Sequence, residues 1–248
     1  MISAYLLAHC DDEYAAWPLL RADQKAGRRI KVFHLTSTAN EDLARRRRGE
    51  SLAFLGRLGV TPADVVDLGA PDGHLIEHLE SSLKALKAEF AADAADAAPA
   101  TITVTAWEGG HLDHDACAAL AVAVAGVLRP APTLRQFSLY HGQALPGLLF
   151  RTGPLAGGGE SQRMPMSASD WLLFALAPRA FPSQAGVFIT WWPALFWRYL
   201  KSGYQFQTLT PERVGQRPHA GALLYERRRR GDYGQAAEQI ADLLANAV

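Results

Sequence analysis

Four times in its first 128 residues the chain runs through a short apolar segment, breaks at small or charged residues, and enters a helix-length stretch. The apolar segments are residues 2–8, 29–36, 65–68 and 101–106; the helical stretches are 14–26, 41–58, 74–91 and 113–128. Strands separated by helices cannot pair as tight hairpins, since each return to the sheet crosses one of its faces. The alternation therefore specifies βαβ crossovers and a mainly parallel sheet. The expectation is an α/β, Rossmann-like three-layer fold in one domain. Its core covers about residues 1–140, and a pocket-forming C-terminal elaboration of helices and strands covers about 141–248. No GxGxxG follows the first strand, so the turn that a dinucleotide pyrophosphate needs is missing.

Local signals refine this outline. Pro18 kinks the first helix or lies in its first turn, and Gly27 stops it. Leu43, Leu52, Leu55 and Leu58 are core candidates of the second helix, and Leu75, Leu79, Leu83 and Leu86 line one face of the third. The alanine-rich residues 91–100 read as a solvated helix end and linker, and residues 155–162 as a flexible surface loop. A strand is expected at residues 221–225 and a terminal helix at 233–246.

Basic and acidic residues balance, 25 against 25, which leaves no positive surplus for a nucleic-acid backbone. The arginine runs at 45–48 and 227–230 accordingly read as solvated faces. Two cysteines make no disulfide framework, and Cys117 falls on an apolar helix face, in the core. The N-terminus has no basic leader, and Asp11 and Asp12 follow the apolar run early; a cytoplasmic location is the expectation. Residues 180–197 carry no charge, nearly the length of a bilayer span. Pro182, Ser183, Gln184, Gly186, Thr190 and Pro193 interrupt them, so no membrane span is expected. The aromatic stretch 170–199 reads instead as a helical subdomain lining a pocket, or as a homo-oligomer contact.

Two clusters of ligating side chains stand where two of the strands end. AHCDDE at residues 8–13 brings one imidazole and three carboxylates within five residues, and GGHLDH at 109–114 brings two more imidazoles and a carboxylate. Taken singly, each is a capped helix entry or a pair of surface histidines. Open α/β sheets, however, gather their chemistry beyond the carboxyl ends of strands, so the clusters read as halves of one site. Catalytic zinc takes three protein ligands and leaves a position for water. His9 and Asp12 on one loop, with His114 at the start of the facing helix, supply such a set for one Zn2+ per chain; iron or cobalt would also accept it. Asp11, next to a ligand, is the candidate general base, and the metal would lower the pKa of its water towards about 7. His111 would stabilise an oxyanion or protonate a leaving amine, with Asp113 orienting it. Gly109 and Gly110 would let backbone approach a ligand closely. Cys10 reads as a small packed residue, because the carboxylates around it would raise a nucleophilic thiol's pKa.

At these residues the chain resembles the PIG-L, or LmbE-like, zinc-dependent N-acetylglucosaminyl deacetylases. Their AHPDDE motif reads AHCDDE here, and their HPDH reads HLDH. Arg47 and Glu50, leading to Leu58 and Gly59, resemble the family's arginine-bearing helix; Asp72 and Gly73 resemble its PDG turn; residues 217–226 (RPHAGALLYE) resemble its closing segment. The similarity runs over about residues 1–226. It implies His9, Asp12 and His114 as zinc ligands, Asp11 as base, His111 and Asp113 as the electrostatic and orienting pair, and Arg47, Asp72 and His219 as substrate-binding residues. Cys10 and Leu112 replace prolines that hold no metal in the family, so the ligand set survives. The implied function is removal of an N-acyl group, acetyl foremost, from a small amino sugar or glycoconjugate. The alternatives are an inactive sugar- or partner-binding protein on the same fold, and a deacylase for lipid-linked or long-acyl amino sugars.

Overall fold

The computed structural model describes residues 1–92 and 98–247. The first half follows the expected alternation: β1 (Ile2–Leu7), α1 (Glu13–Lys25), β2 (Arg29–Ser37), α2 (Glu41–Gly56), β3 (Val65–Pro71), α3 (Leu79–Ala92), β4 (Thr101–Thr105) and α4 (Leu112–Val127); a fifth strand outside that expectation, β5 (Thr133–Phe137), follows. β6 (Ser161–Met164), α5 (Ala168–Leu176), α6 (Ala185–Ser202), β7 (Tyr204–Thr208), the short α7 (Pro211–Val214) and α8 (Leu224–Arg227), and α9 (Tyr233–Asn246) complete it.

The strands form one sheet in the order β3-β2-β1-β4-β5-β7-β6. The first five run parallel, whereas β7 pairs antiparallel with both β5 and β6. The strand order reverses between β1 and β4, so the loops after these two strands diverge over one crevice. Side chains alternate across the sheet: Ala4 and Leu6 face the layer of α3, α4 and α9, while Tyr5 and Leu7 face that of α1, α2 and α6. The three-layer fold is as the alternation requires. α4 lies wholly inside, every residue from Leu112 to Ala125 being buried, and Cys117 donates its thiol to the Leu6 carbonyl.

The second half differs from expectation in three places. Residues 221–225 are not a strand: the Leu224 N–H bonds the Gly109 carbonyl and the Leu223 N–H bonds Glu226, so the segment turns into α8 instead of joining the sheet. The added strands are β6 and β7. The glycine-rich loop expected to be flexible is pinned, since Gln136 Nε2 donates to the Gly158 carbonyl and Gln207 Nε2 to those of Leu155 and Gly159.

Smaller departures have local causes. Pro18 sits inside α1, beyond its first turn. A 3-10 turn, Leu75–His78, precedes α3. On α2 the buried positions are Ser51, Phe54 and Leu55, with Leu43 and Leu52 only half-buried. The alanine-rich linker falls largely on 93–97, outside the described residues. No single helix among the described residues is long and apolar enough to cross a membrane.

Candidate functional site

The loops after β1 and β4 bring the two clusters together at the point where the strand order reverses. His9 Nδ1 lies 3.3 Å from His114 Nε2, His114 Nε2 lies 3.4 Å from Asp12 Oδ1, and His9 Nδ1 lies 3.7 Å from Asp12 Oδ2. Ligand atoms about 2.0–2.1 Å from a tetrahedral zinc ion stand about 3.3 Å apart, close to the distances of His114 Nε2 from His9 Nδ1 and Asp12 Oδ1, while His9 meets the other Asp12 oxygen. The donor set therefore fits a divalent cation. Asp12 is held in place by the His9 N–H at 2.9 Å.

The other nitrogen of His9 is committed. Nε2 lies 3.3 Å from Asp113 Oδ2 and 3.2 Å from Asp72 Oδ1, so when the ring is neutral its proton stays there and the Nδ1 lone pair faces the ligand cluster. Asp113 also accepts the N–H groups of Gly73 at 2.7 Å and Leu75 at 3.0 Å, tying the turn after β3 into the site. This corrects one expectation: the Asp113 carboxylate pairs with His9, not with His111. Its contribution to His111 is the backbone, whose N–H donates to His111 Nδ1 at 3.2 Å. A neutral His111 then carries its proton on Nε2.

Electrostatics follow from burial and from these contacts. Burial works against a charge on His9, but hydrogen bonds to Asp113, Asp12 and Asp72 outweigh it and hold the ring well above the usual imidazole range. Burial would raise Asp12, yet the His114 and His9 rings drive it below the usual carboxylate range. Asp72 falls to about 2 through its bond to His9. Asp11, facing the cavity, is raised to about 7 by desolvation and by the Asp12 charge beside it. His111 falls to about 3 through burial and repulsion from His9 and His114. Several carboxylates thus converge on one imidazole, an arrangement that a cation relieves.

Asp11, Asp12, His9, His111 and His114 share one cavity of about 290 Å³. Arg47 and Asp72 line it too, and Arg47 is held by Gln184 Oε1 at 3.1 Å and Asp72 Oδ2 at 3.8 Å. The arginine run divides by helical phase: Arg45, Arg46 and Arg48 pair with acids on the surface, and Arg47 alone turns inward. His219 does not line the cavity. It is buried beside His141, with Nδ1 on the Ala220 carbonyl at 2.8 Å.

Gly109 and Gly110 do allow a close approach, but within the protein. A side chain on Gly110 would meet the Tyr140 carbonyl, and one on Gly109 would meet Leu223. Asp115 accepts the N–H groups of Glu108 and Gly109, both at 3.1 Å, and so shapes this loop.

The aromatic stretch 170–199, expected to line a pocket, contributes Gln184, Val187 and Trp191 to the cavity, whereas Tyr140 and Arg230 escaped sequence reasoning. Tyr140 lies 6.0 Å from the His114 ring. Its signal was its place just past the last parallel strand; Arg230 lies on the irregular third of the chain. The second arginine run is likewise not uniformly solvated. Arg227 bonds the carbonyls of Leu145 and Gly142, and Arg228 stacks over Tyr140.

Comparison with known proteins agrees with this fold. No curated protein sequence matches the chain. A deacetylase of the teicoplanin biosynthesis pathway superposes with a TM-score of 0.64 at 12% identity, covering 85% of this chain and 100% of that one. The N,N'-diacetylchitobiose deacetylase of Pyrococcus horikoshii gives 0.57 at 18% identity, covering 84% and 83%. The 4-carboxy-2-hydroxymuconate hydratase of Pseudomonas putida gives 0.51 at 14%, covering 85% and 97%. These likenesses show the fold, which evidently hosts more than one reaction. Residues 5–125 match the family model described as GlcNAc-PI de-N-acetylase. The chain carries a PIG-L-family domain over those residues.

Proposed function

We propose that the chain is a zinc-dependent hydrolase that removes an N-acyl group, acetyl foremost, from an amino sugar or a related small N-acyl compound. The observation that carries this reading is the cluster of ligand atoms from His9, Asp12 and His114 with Asp11 in the same cavity. His9, Asp12 and His114 would hold the metal. Bound zinc supplies a Lewis acid and a water ionised near neutral pH.

Amide hydrolysis forms a carbonyl carbon–oxygen bond and breaks the carbon–nitrogen bond, and a proton must travel from the water to the departing nitrogen. Asp11 takes that proton from the water. His111 directs its Nε2–H into the cavity, where it stabilises the negative charge that develops on the carbonyl oxygen. The nitrogen leaves as an amine after collecting from Asp11 the proton taken from the water, since a neutral His111 keeps its single Nε2–H. Arg47, braced by Gln184 and Asp72, faces the cavity as a donor for substrate hydroxyl or phosphate oxygens. Tyr140 and Trp191 provide apolar walls on which a sugar ring can stack.

A binding protein without chemistry has no use for a carboxylate placed like Asp11. The test is acetate release from N-acetylglucosamine and N,N'-diacetylchitobiose by zinc-loaded protein, beside Asp11→Asn. Release by the first and none by the second supports the reading. Equal release by both removes Asp11 from its role, and no release from any N-acetyl compound tried removes the deacetylase reading.

A further inference from the structure

The outer face of α5 and α6 is apolar and has no cover within the chain. Leu172, Leu173 and Leu176 project from α5, and Ile189, Trp197 and Leu200 from α6; Ile189 is 76% and Leu172 61% exposed. On α6 the exposed Ile189, Pro193, Trp197 and Leu200 follow at intervals of four, four and three, one line along the helix. The inner faces of both helices are packed, with Phe174, Phe188, Leu195 and Tyr199 buried against the protein. Trp171 of α5 and Leu200 of α6 border one groove together with Arg163. The α5 and α6 segments meet at a bend of 76°, so they do not form one straight span.

Charge selects the occupant. Residues 171–211 contain no aspartate or glutamate, while Arg179, Arg198 and Lys201 are among them. Among the described residues none of these three cations has a carboxylate partner. The flanking acids are engaged elsewhere, Asp170 by Lys25 and Glu50 by Ser183 and Arg46. Lys201 Nζ sits 4.8 Å over the exposed Trp197 ring, an aromatic and a cation paired as suits a headgroup layer.

We propose that the α5–α6 face docks on an anionic lipid bilayer, lying in the interface with its outer stripes among the acyl-chain ends. Gln184, Val187 and Trp191, at the start of α6, line the cavity that holds His9 and His114. Docking therefore sets the mouth of that cavity at the headgroup level, where an amphiphilic substrate can reach it. The proposal does not depend on which reaction the site performs.

The test is co-sedimentation of the 248-residue chain with vesicles. Vesicles of equal parts phosphatidylcholine and phosphatidylserine are compared with phosphatidylcholine alone, for wild type, Leu172→Glu/Ile189→Glu and Arg198→Gln/Lys201→Gln. The expected result is binding to the anionic vesicles, about tenfold weaker for each double variant and weaker in high salt. Circular dichroism and size exclusion check that the variants, altered only at exposed positions, keep their fold. Wild type left in the supernatant with both vesicles overturns the proposal, as does undiminished binding by both variants. A wild-type dimer that Leu172→Glu/Ile189→Glu turns into monomer, with no vesicle binding, also overturns it and makes the face a self-interface.

Discussion

Asp113 Oδ2 lies 3.3 Å from His9 Nε2, so a carboxylate from α4 orients an imidazole delivered by β1. The same Asp113 fixes the turn after β3 through Gly73 and Leu75, and three loops of the sheet edge thereby share one anchor. Asp113→Asn keeps the volume and removes the charge that sets the His9 tautomer. Zinc affinity, measured by chelator competition, should fall about 10- to 100-fold, and the melting temperature should fall too, because the amide has one acceptor oxygen for the N–H groups that the carboxylate takes on two. An unchanged affinity would show that His9 needs no orienting carboxylate.

Arg47 faces the cavity from α2, which it reaches only because Gln184 and Asp72 brace it. Arg47→Met should leave zinc content unchanged and raise KM about tenfold or more, the cost of one charged hydrogen bond to substrate. Gln184→Ala should do the same to a smaller degree. A loss of metal in Arg47→Met would move this residue from substrate binding to the scaffold of the metal site.

Phe174 is fully buried among Trp17, Trp192, Phe196, Tyr199 and Tyr204, where α5 and α6 close on the sheet. Phe174→Ala should cost about 3–5 kcal/mol by urea unfolding, whereas the exposed Leu172→Ala should cost about nothing. Equal effects would mean that this region is not packed as described.

Glu108 is buried at the end of β4, and burial raises it to about 7 against the hydrogen bonds from Ser138, Leu139 and Tyr140 that lower it. An unfolded glutamate titrates near about 4.3. With the folded value above the unfolded one, its contribution to stability is whole below about pH 4.3 and is lost as pH rises through about 7. The window is worth about 4 kcal/mol at most. Glu108→Gln should flatten that part of the stability curve and be more stable than wild type above about pH 7 in urea titrations. Parallel curves for the two proteins would contradict the assignment.

The parallel half of the fold was legible because each strand there is a short apolar run bounded by small or charged residues, as at Ala8 and Ala106. The site lies within two contiguous motifs at the ends of such runs, so its members could be named without knowing their contacts. Their pairings could not. Asp113 lies two residues from His111 in the chain but 104 from His9, and only the packed loops decide which ring its carboxylate meets. Arg47 and Gln184 are 137 residues apart. His34 carried no sequence signal, yet it is buried between Glu13 at 2.7 Å and Asp67 at 2.9 Å, a pairing visible only once β2 and β3 lie side by side. β6 escaped notice because SQRM is an exposed polar edge strand, and residues 221–225 misled because an apolar run also suits a segment buried across the mouth of a loop.

The central claim is that His9, Asp12 and His114 hold a metal ion. The most direct measurement is zinc content per chain after purification without chelator or nickel, for wild type beside His114→Ala. The account predicts about one zinc in the wild type and none in the variant. No zinc in the wild type even after adding it back, or an equal content in His114→Ala, would contradict it.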